Sequence, residues 1–413
     1  MKVAVIGTGI AGIGAAHALS RRHEVEVFER DCRAGGHSNT VEVTRPDGRT
    51  LAIDTGFIVH NPANYPHLVR LFRELGVPTQ ESDMSFAVVC RRCGIEYSGR
   101  HLWEQPRVLR SPRMLRLLAQ IARFMATARR RLDGRHRTRT VAQFVRAEGY
   151  GQDFRDHFLV PLTSAIWSTS PGQAAAFPVD YALRFFDTHN LIGFRRHTWR
   201  TVAGGSREYV ARALAPLGDR VHLGHGVRRL ERDGDRVVLE TDAGTTHVAD
   251  AAVVATHPDQ ALAMLADPTP AEREVLGAIT YTPSEAVLHT DPALLPSVPA
   301  ARAAWNYLLE DCRDPGTAPT LTYYSNRLQA LDEPEHYCVT LNRGTAIDPA
   351  RVITRIPYAH PLFSFAALRA QARLPEISGT GGVHYAGAYH GHGFHEDGLV
   401  AGLRAAAALG APL

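Results

Sequence analysis

The feature that most constrains this chain is a set of three glycines at the joint between its first strand and its first helix. Val3-Ala4-Val5-Ile6 is a short, unbroken apolar run, the pattern of a strand buried on both faces of a parallel sheet. Gly7-Thr8-Gly9-Ile10-Ala11-Gly12 follows at once, and the alanine-rich stretch from Ile13 to Ser20 reads as a helix. In that setting Gly7 permits the tight turn, Gly9 lets the backbone approach a pyrophosphate, and Gly12 lets the helix pack closely on the strand. The opening amides of the helix, at Ile10 and Ala11, then offer donors and the positive dipole end to the phosphates. A glycine-rich turn can be purely structural, so the context decides. Glu24-Val25-Glu26-Val27-Phe28-Glu29 alternates as a second strand and ends on an acid at the distance where a ribose hydroxyl is held, with Arg30 next to it. The pattern predicts an α/β, Rossmann-type dinucleotide-binding fold.

A length of 413 residues favours two domains over one core. Hydrophobic residues make up 45% and charged residues 21%, with no uniform apolar run of bilayer length, which is the composition of a soluble globular protein. A net charge of +4 does not imply nucleic acid, and none is expected as a partner. Lys2 is the only lysine, every other basic residue of the Lys/Arg pair being arginine, so Schiff-base chemistry and lysine bases are nearly excluded. The five cysteines are odd in number and scattered, unlike a disulfide framework. Cys90-Arg-Arg-Cys93 has metal-knuckle spacing, but no second pair follows; the reading is a strand end and turn with two free thiols, and no metal is expected. No export signal opens the chain, so the expected location is cytoplasmic.

Beyond Glu29 come Arg33-Ala34-Gly35-Gly36-His37-Ser38-Asn39-Thr40, a second glycine pair close to the ribose acid. This resembles the extended motif of the amine-oxidase superfamily of flavoproteins, which also includes carotenoid desaturases. The resemblance implies FAD, with Gly35 and Gly36 adding contacts to the pyrophosphate. That family usually has arginine where this chain has His37, and Arg33 stands nearby as a substitute charge partner. Asp54-Thr55-Gly56-Phe57 looks like the segment that passes the flavin ring, and Val227 matches the position beside the adenine. Val221 to Thr256 reads as short strands divided by Asp233-Gly234-Asp235 and Asp242-Ala243-Gly244 turns, closing on the apolar strand that ends in Ala255-Thr256. This resembles the β-meander that such flavoproteins insert into the sheet.

The last segment, Val383 to the end, reads as a strand, a loop of glycines, histidines and aromatics from Gly387, and a helix opened by Glu396-Asp397-Gly398-Leu399. In the resembled family this element brings a helix N-terminus to the pyrimidine edge of the flavin, where amides stabilise the negative charge of the reduced ring. The expected FAD-binding domain is discontinuous, 1–60, 200–262 and 376–413, with 61–199 and 263–375 as a mixed α+β substrate or cap domain. Tyr389 and His390 lie between the strand and that helix and are the candidate acid and base.

Several phrases, among them GGHSNTVEV, DTGFIVHNPANYPHL, WRTVAGGSREYV, YAHP and GFHEDGL, look like bacterial flavoproteins similar to the N-terminal domain of plant cyclopropane fatty acid synthases. More distant relatives include polyunsaturated fatty acid isomerases and desaturases of branched acyl chains. The resemblance implies acyl-lipid chemistry, as desaturation or double-bond isomerisation. The lack of lysine disfavours the family's amine oxidation. An amine or amino-acid oxidase, an accessory flavoprotein serving a lipid methyltransferase partner, and a non-catalytic scaffold are the rivals. Phe57, Tyr65, Phe86, Trp167, Phe185, Phe186, Trp199, Trp305 and Tyr307 suit an apolar substrate tunnel, though such residues are more often plain core. From Arg107 to Arg139, Leu115, Leu118, Ile121, Phe124 and Met125 recur between arginines as an amphipathic basic helix. Its bland reading is a solvated cap helix. Its sharper reading is docking on an anionic membrane through Arg116, Arg123 and Arg130.

The resembled monoamine oxidases bond their flavin to a cysteine near the C-terminus, and no cysteine lies beyond Cys338 here. The FAD is therefore expected to be non-covalent. Denaturing the yellow protein and filtering it should release all of the flavin, and colour retained on the polypeptide would contradict this.

Overall fold

The computed structural model describes residues 1–45, 47–99, 102–193, 197–314 and 320–412. Its centre is a five-stranded parallel sheet in the order Val221–Leu223, Glu24–Glu29, Lys2–Ile6, Ala251–Val254, Val383–Tyr385. The strand Lys2–Ile6 is the middle one because Val3 to Ile6 are apolar on both faces and all four are buried. Its partners come from three distant parts of the chain: Val3 pairs with Val25 and with Ala251, and Val254 pairs onward with Tyr385. The fold is thus the expected Rossmann-type domain, and the expected meander is present as the antiparallel strands Val227–Asp233, Arg236–Thr241 and Thr246–Ala249.

One face of the sheet carries the helix Ile10–Leu19 and the terminal helix His395–Ala408, which cross each other in close contact. Glycines make the approach feasible. A Cβ on Gly402 would fall 2.0 Å from the carbonyl oxygen of Ala11, and one on Gly12 would fall 1.9 Å from that of Gly7. Gly7 itself has φ +99, a conformation that side chains on an L-residue disfavour. The other face is covered by the helices Pro258–Met264, Pro270–Gly277 and Phe365–Ile377, whose apolar residues join Ala4, Ile6, Phe28 and Tyr385 in one core. The last two of these helices fall in the segment that the sequence reading gives to the substrate half. Amphipathic pattern shows that a helix has a buried face but not which sheet it covers.

The second half is built on a seven-stranded mixed sheet, in the order Val352–Pro361, Tyr281–His289, Cys338–Leu341, Thr320–Tyr324, Trp305–Leu309, Phe86–Cys90, Glu96–Ser98. Helices from Pro112 to Thr188 pack against it around Phe124, Phe144, Phe154, Phe158, Trp167 and Phe186. Most of the aromatics proposed for a tunnel are ordinary core here: Tyr307 is fully buried, with its hydroxyl donating to Ser164 Oγ at 2.8 Å. The basic helix runs over Pro112–Thr127, capped by Ser111, and buries Met114, Leu117 and Phe124 while Leu115 stays 48% exposed. Several of its arginines have partners within the protein. Arg113 pairs with Asp153, Arg129 with Asp187, and Arg123 donates to the Glu148 carbonyl and stacks on Tyr150 at 4.0 Å. Arg123 therefore does not stand free to meet lipid; Arg116 and Arg130 are exposed.

The glycine crossing sets a stability expectation. Gly402→Ala should lower stability by about 1–3 kcal/mol, the scale of overpacking a tight contact, and should lower the flavin content of the purified protein. Gly277→Ala, whose new Cβ would meet nothing closer than Leu262 at 3.9 Å, serves as the control. Equal thermal midpoints for the two variants would refute the crossing.

Candidate active site

The two helix beginnings meet. Gly398, in the first turn of the terminal helix, is so close to the start of the other that a Cβ there would lie 2.8 Å from Ile10 Cγ2 and 3.5 Å from the Ala388 nitrogen. Neither helix is closed by a conventional side-chain cap at its first residues: Gly9 has no side chain, and Phe394 presents a ring. Their opening amides and dipoles therefore converge on one place, which suits an anionic group. A Cβ on Gly9 would meet nothing within 4 Å, so the backbone there is open to a phosphate, and Gly36 lies 3.1 Å from Gly9 Cα by the same construction. Both glycine motifs thus face one another as the sequence reading expects.

Glu29 stands at the end of its strand, accepting from the Thr8 amide and hydroxyl at 2.9 and 2.5 Å and from the Asp31 amide at 3.0 Å. Arg30 packs its side chain against Gly226 near Val227, and Ala255 lies against Gly7 and Gly12 with Thr256 next to it. These residues line one end of the sheet, the carboxyl end where ligands bind in open α/β folds.

Other expected residues are placed differently. Arg33 directs its guanidinium to the carbonyls of Ala34, Gly36 and Ser38, so it fastens the glycine-pair loop instead of presenting its donors to a phosphate. His37 is stacked on Tyr358 at 4.5 Å, and burial holds it well below its ordinary pKa, so it is neutral and cannot act as a charged replacement for arginine. The Glu396 carboxylate caps another helix, accepting from the His67 and Leu68 amides and contacting His67 Nδ1. Asp397 accepts from the Phe394 amide at 2.9 Å. What these two and Leu399 contribute toward a cofactor is backbone, not side chain. Tyr389 is 1% exposed in the core on the second face of the sheet, its ring against Gly387, and its hydroxyl has no hydrogen-bond partner. His390 follows it in the same short turn.

Rings other than the two proposed as acid and base sit closer to the meeting point. His395, the first residue of the terminal helix, stacks on Phe57 at 3.7 Å and contacts Ser38 Oγ at 2.9 Å. Tyr358 and His360 project from the same side of the edge strand Val352–Pro361, two residues apart, and both reach His37. The Tyr358 hydroxyl contacts Thr55 Oγ1 at 3.0 Å, and a Cβ on Gly56 would crowd it at 3.2 Å. Phe394 stacks on Phe185 at 4.6 Å and joins Trp167 and His189. Asp54 is the keystone beneath: fully buried, it accepts from Thr40 Oγ1 and from the amide and hydroxyl of Ser206, fixing the Gly204-Gly205 turn against the glycine-pair loop.

Orphaned buried polar atoms in this cluster, His37 Nε2 and His360 Nδ1, together with the open approach at Gly9 and the uncapped helix ends, fit a bound dinucleotide. The fold and this site define a dinucleotide-binding protein of the Rossmann type. The chain belongs to the family of flavin containing amine oxidoreductases, whose model matches residues 10–341. The members of this family are flavin-containing oxidoreductases.

AofH of Mycobacterium tuberculosis, provisionally named a flavin-containing monoamine oxidase, is 27% identical over 287 residues, covering 64% of this chain. The chain spans only 59% of the length of that relative. Among solved structures, cyclohexylamine oxidase from Brevibacterium oxydans IH-35A superposes with a TM-score of 0.72 at 19% identity, covering 99% of this chain and 98% of that one. A CLA-producing fatty acid isomerase from P. acnes superposes with a TM-score of 0.69 at 14% identity, covering 99% and 97%. At these identities the likeness is one of fold.

The site's imidazoles are neutral. Burial pushes His60, His189, His360, His390 and His392 down to about 4 and His395 to about 3. Between those values and 6.5 the unfolded chain binds more protons than the folded one, so these groups cost stability progressively as pH falls through that window. Burial raises Asp54 and Asp397 to about 6, which acts in the opposite sense, but these are two groups against six. The thermal midpoint should therefore be lower at about pH 5 than at about pH 7. A midpoint that climbs on acidification would mean that these imidazoles are not buried.

Proposed function

We propose that this protein is an FAD-dependent oxidoreductase acting by hydride transfer on an apolar acyl chain, as a desaturase or a double-bond isomerase. The observation that carries the reading is that, among the described residues, the acids nearest the rings at the helix meeting point are all engaged by hydrogen bonds. Lys2, the sole lysine, lies at the opposite end of its strand and pairs with Glu26 at 3.2 Å. The nearby acids are tied up by Thr40 and Ser206, by His67 and Leu68, and by the Phe394 amide. Among the described residues an ammonium substrate would find no free carboxylate there, and its desolvation would go uncompensated. A hydrocarbon chain meets no such penalty.

Bound flavin supplies a hydride acceptor and donor at its ring. The protein's own part is to bind, orient and dry the site. Gly9 with the amides of Ile10 and Ala11 would hold the pyrophosphate, Gly7 and Gly12 setting the turn and the close packing that bring them there, and Glu29 would hold the ribose. The N-terminus of the terminal helix would offer amides and positive dipole to the flavin ring. Phe57, Phe394 and the neutral histidines exclude water from the reacting carbon, which strengthens every electrostatic interaction there. His395, held by Ser38, is better placed than Tyr389 or His390 to position a proton.

The motifs shared with flavoproteins similar to the N-terminal domain of plant cyclopropane fatty acid synthases support this reading, as does the fatty acid isomerase among the fold relatives. The likeness to AofH and to cyclohexylamine oxidase favours the second reading, amine oxidation. No described helix is long and apolar enough to cross a membrane. Leu115, 48% exposed between arginines, supports peripheral contact with an anionic membrane at its cytoplasmic face. A lipid methyltransferase remains the proposed partner protein.

Under anaerobic conditions an unsaturated or methyl-branched fatty acyl lipid should bleach the flavin or be isomerised, while primary amines and amino acids should do neither. Rapid bleaching by an amine, with no response to any acyl lipid, would replace this reading by the second.

A further inference from the structure

We propose that Cys90, Cys93, His157 and Cys312 form a tetrahedral site for a zinc ion in the substrate half, apart from the flavin site. One ligand atom from each of the four lies within 4.8 Å of all the others. Zinc with three thiolates and one imidazole spaces its ligand atoms by about 3.5–3.8 Å, given Zn–S and Zn–N bonds of about 2.3 and 2.0 Å. The four atoms need only a small inward adjustment to meet that figure. Cys93 Sγ and His157 Nε2 are already 3.2 Å apart.

Each ligand is held by a defined piece of backbone. The Cys90–Cys93 segment folds back as a knuckle: the Gly94 amide donates to the Cys90 carbonyl at 3.0 Å, the Cys90 amide donates to the Ile95 carbonyl at 2.7 Å, and Gly94 has φ +69. This turn brings both thiols to one side. His157 lies on a π-helical turn, Arg155–Leu159, inserted between two α-helical segments, a local widening that recurs at functional sites. Its Nδ1 faces the Asp153 carbonyl at 3.2 Å and the Asp153 carboxylate at 3.5 Å. Donation from Nδ1 leaves the Nε2 lone pair directed at the thiols, the outer-shell arrangement that orients a ligating histidine. Tyr97 fixes the same turn by donating to the His157 carbonyl at 2.8 Å.

Cys312 follows the strand Trp305–Leu309, whose Leu309 is paired with Cys90 in parallel register. The loop is pinned to the knuckle by the Arg91 amide on the Leu309 carbonyl and by the ion pairs Arg91–Glu310 and Arg92–Asp311. All five cysteines of the chain are free, and three clustered thiols cannot all be satisfied by one disulfide. Soft thiolates in a four-ligand set of this size select zinc over magnesium or calcium. Each thiol would lose its proton to solvent as its Zn–S bond forms, leaving a net charge of −1, with Arg113 within electrostatic reach of Cys93 and Cys312. The knuckle spacing alone reads as two free thiols because no second pair follows in sequence; the fold adds His157 and Cys312 from distant segments. Such an ion would clamp the helical layer to the end of the seven-stranded sheet.

Full-length protein from zinc-supplied culture, dialysed and analysed by elemental mass spectrometry, should contain about one zinc per chain. Cys312→Ser and Cys93→Ser should lose most of it, while Cys32→Ser, with its thiol outside the cluster, should keep it. Replacing the ion with Co²⁺ should give ligand-field bands to the red of the flavin together with thiolate charge transfer. These readouts do not depend on activity, and the wild-type measurements decide the matter even where a cysteine variant fails to fold. Zinc below about 0.1 per chain with no cobalt spectrum, or a Cys90–Cys93 disulfide found by peptide mapping, would overturn the site. So would full zinc retention in Cys312→Ser.

Discussion

The fold depends on how closely two helices from opposite ends of the sequence approach each other. Ile10–Leu19 and His395–Ala408 cross where Gly14, Gly398 and Gly402 leave no room for further side chains, and at Gly402 backbone meets the backbone of Ala11. That contact draws both helix beginnings to the same end of the parallel sheet. It makes the cofactor site a joint product of the first and last segments, and whatever lies between them is threaded out from the sheet and back. Dispersion over such a surface is weak per atom and large in sum, and each extra methyl would be felt.

Electrostatics at the site works by subtraction. The charged groups nearest the helix ends are engaged in holding the scaffold: Asp54 joins the glycine-pair loop to the turn before Arg207, and Glu396 ties the terminal helix to the helix Pro66–Glu74. What faces the meeting point is a set of rings kept neutral by burial, among them His37, His360 and His395. A low-dielectric lining of this kind magnifies the effect of the helix dipoles, the main fixed source of potential there.

Local pattern made the nucleotide half legible. The buried strand, the glycines and the acid at Glu29 sit within one short stretch, and the meander and terminal helix carry their own turns and periodicity. The same reading misplaced side chains whose partners are remote. Arg33 and Glu396 look like cofactor ligands in sequence because they flank the motifs, yet their hydrogen bonds go to the loop carbonyls and to His67 and Leu68. The phrase that holds Tyr358 and His360, and the histidine-rich segment that holds His395, stand out in the sequence, but their place beside the glycine-pair loop arises from an edge strand laid across it, a long-range contact that local pattern does not encode. A single signal was within reach: His395 immediately precedes Glu396-Asp397-Gly398, the very motif taken to open the flavin-facing helix.

The central position of the strand Lys2–Ile6 has a consequence for how the chain comes to be made. Its first neighbour, Glu24–Glu29, emerges from the ribosome almost at once, but Ala251–Val254 arrives only after the chain has grown more than half its length. The helix that seals its face, His395–Ala408, lies far beyond that strand in the sequence. Until then a highly apolar strand has one edge without its permanent partner, the circumstance in which nascent chains become aggregation-prone and chaperone-dependent. Sequence separation of this kind also slows folding, since loop closure must precede the contacts that reward it. The nucleotide half is thus begun before the substrate half and completed only after it.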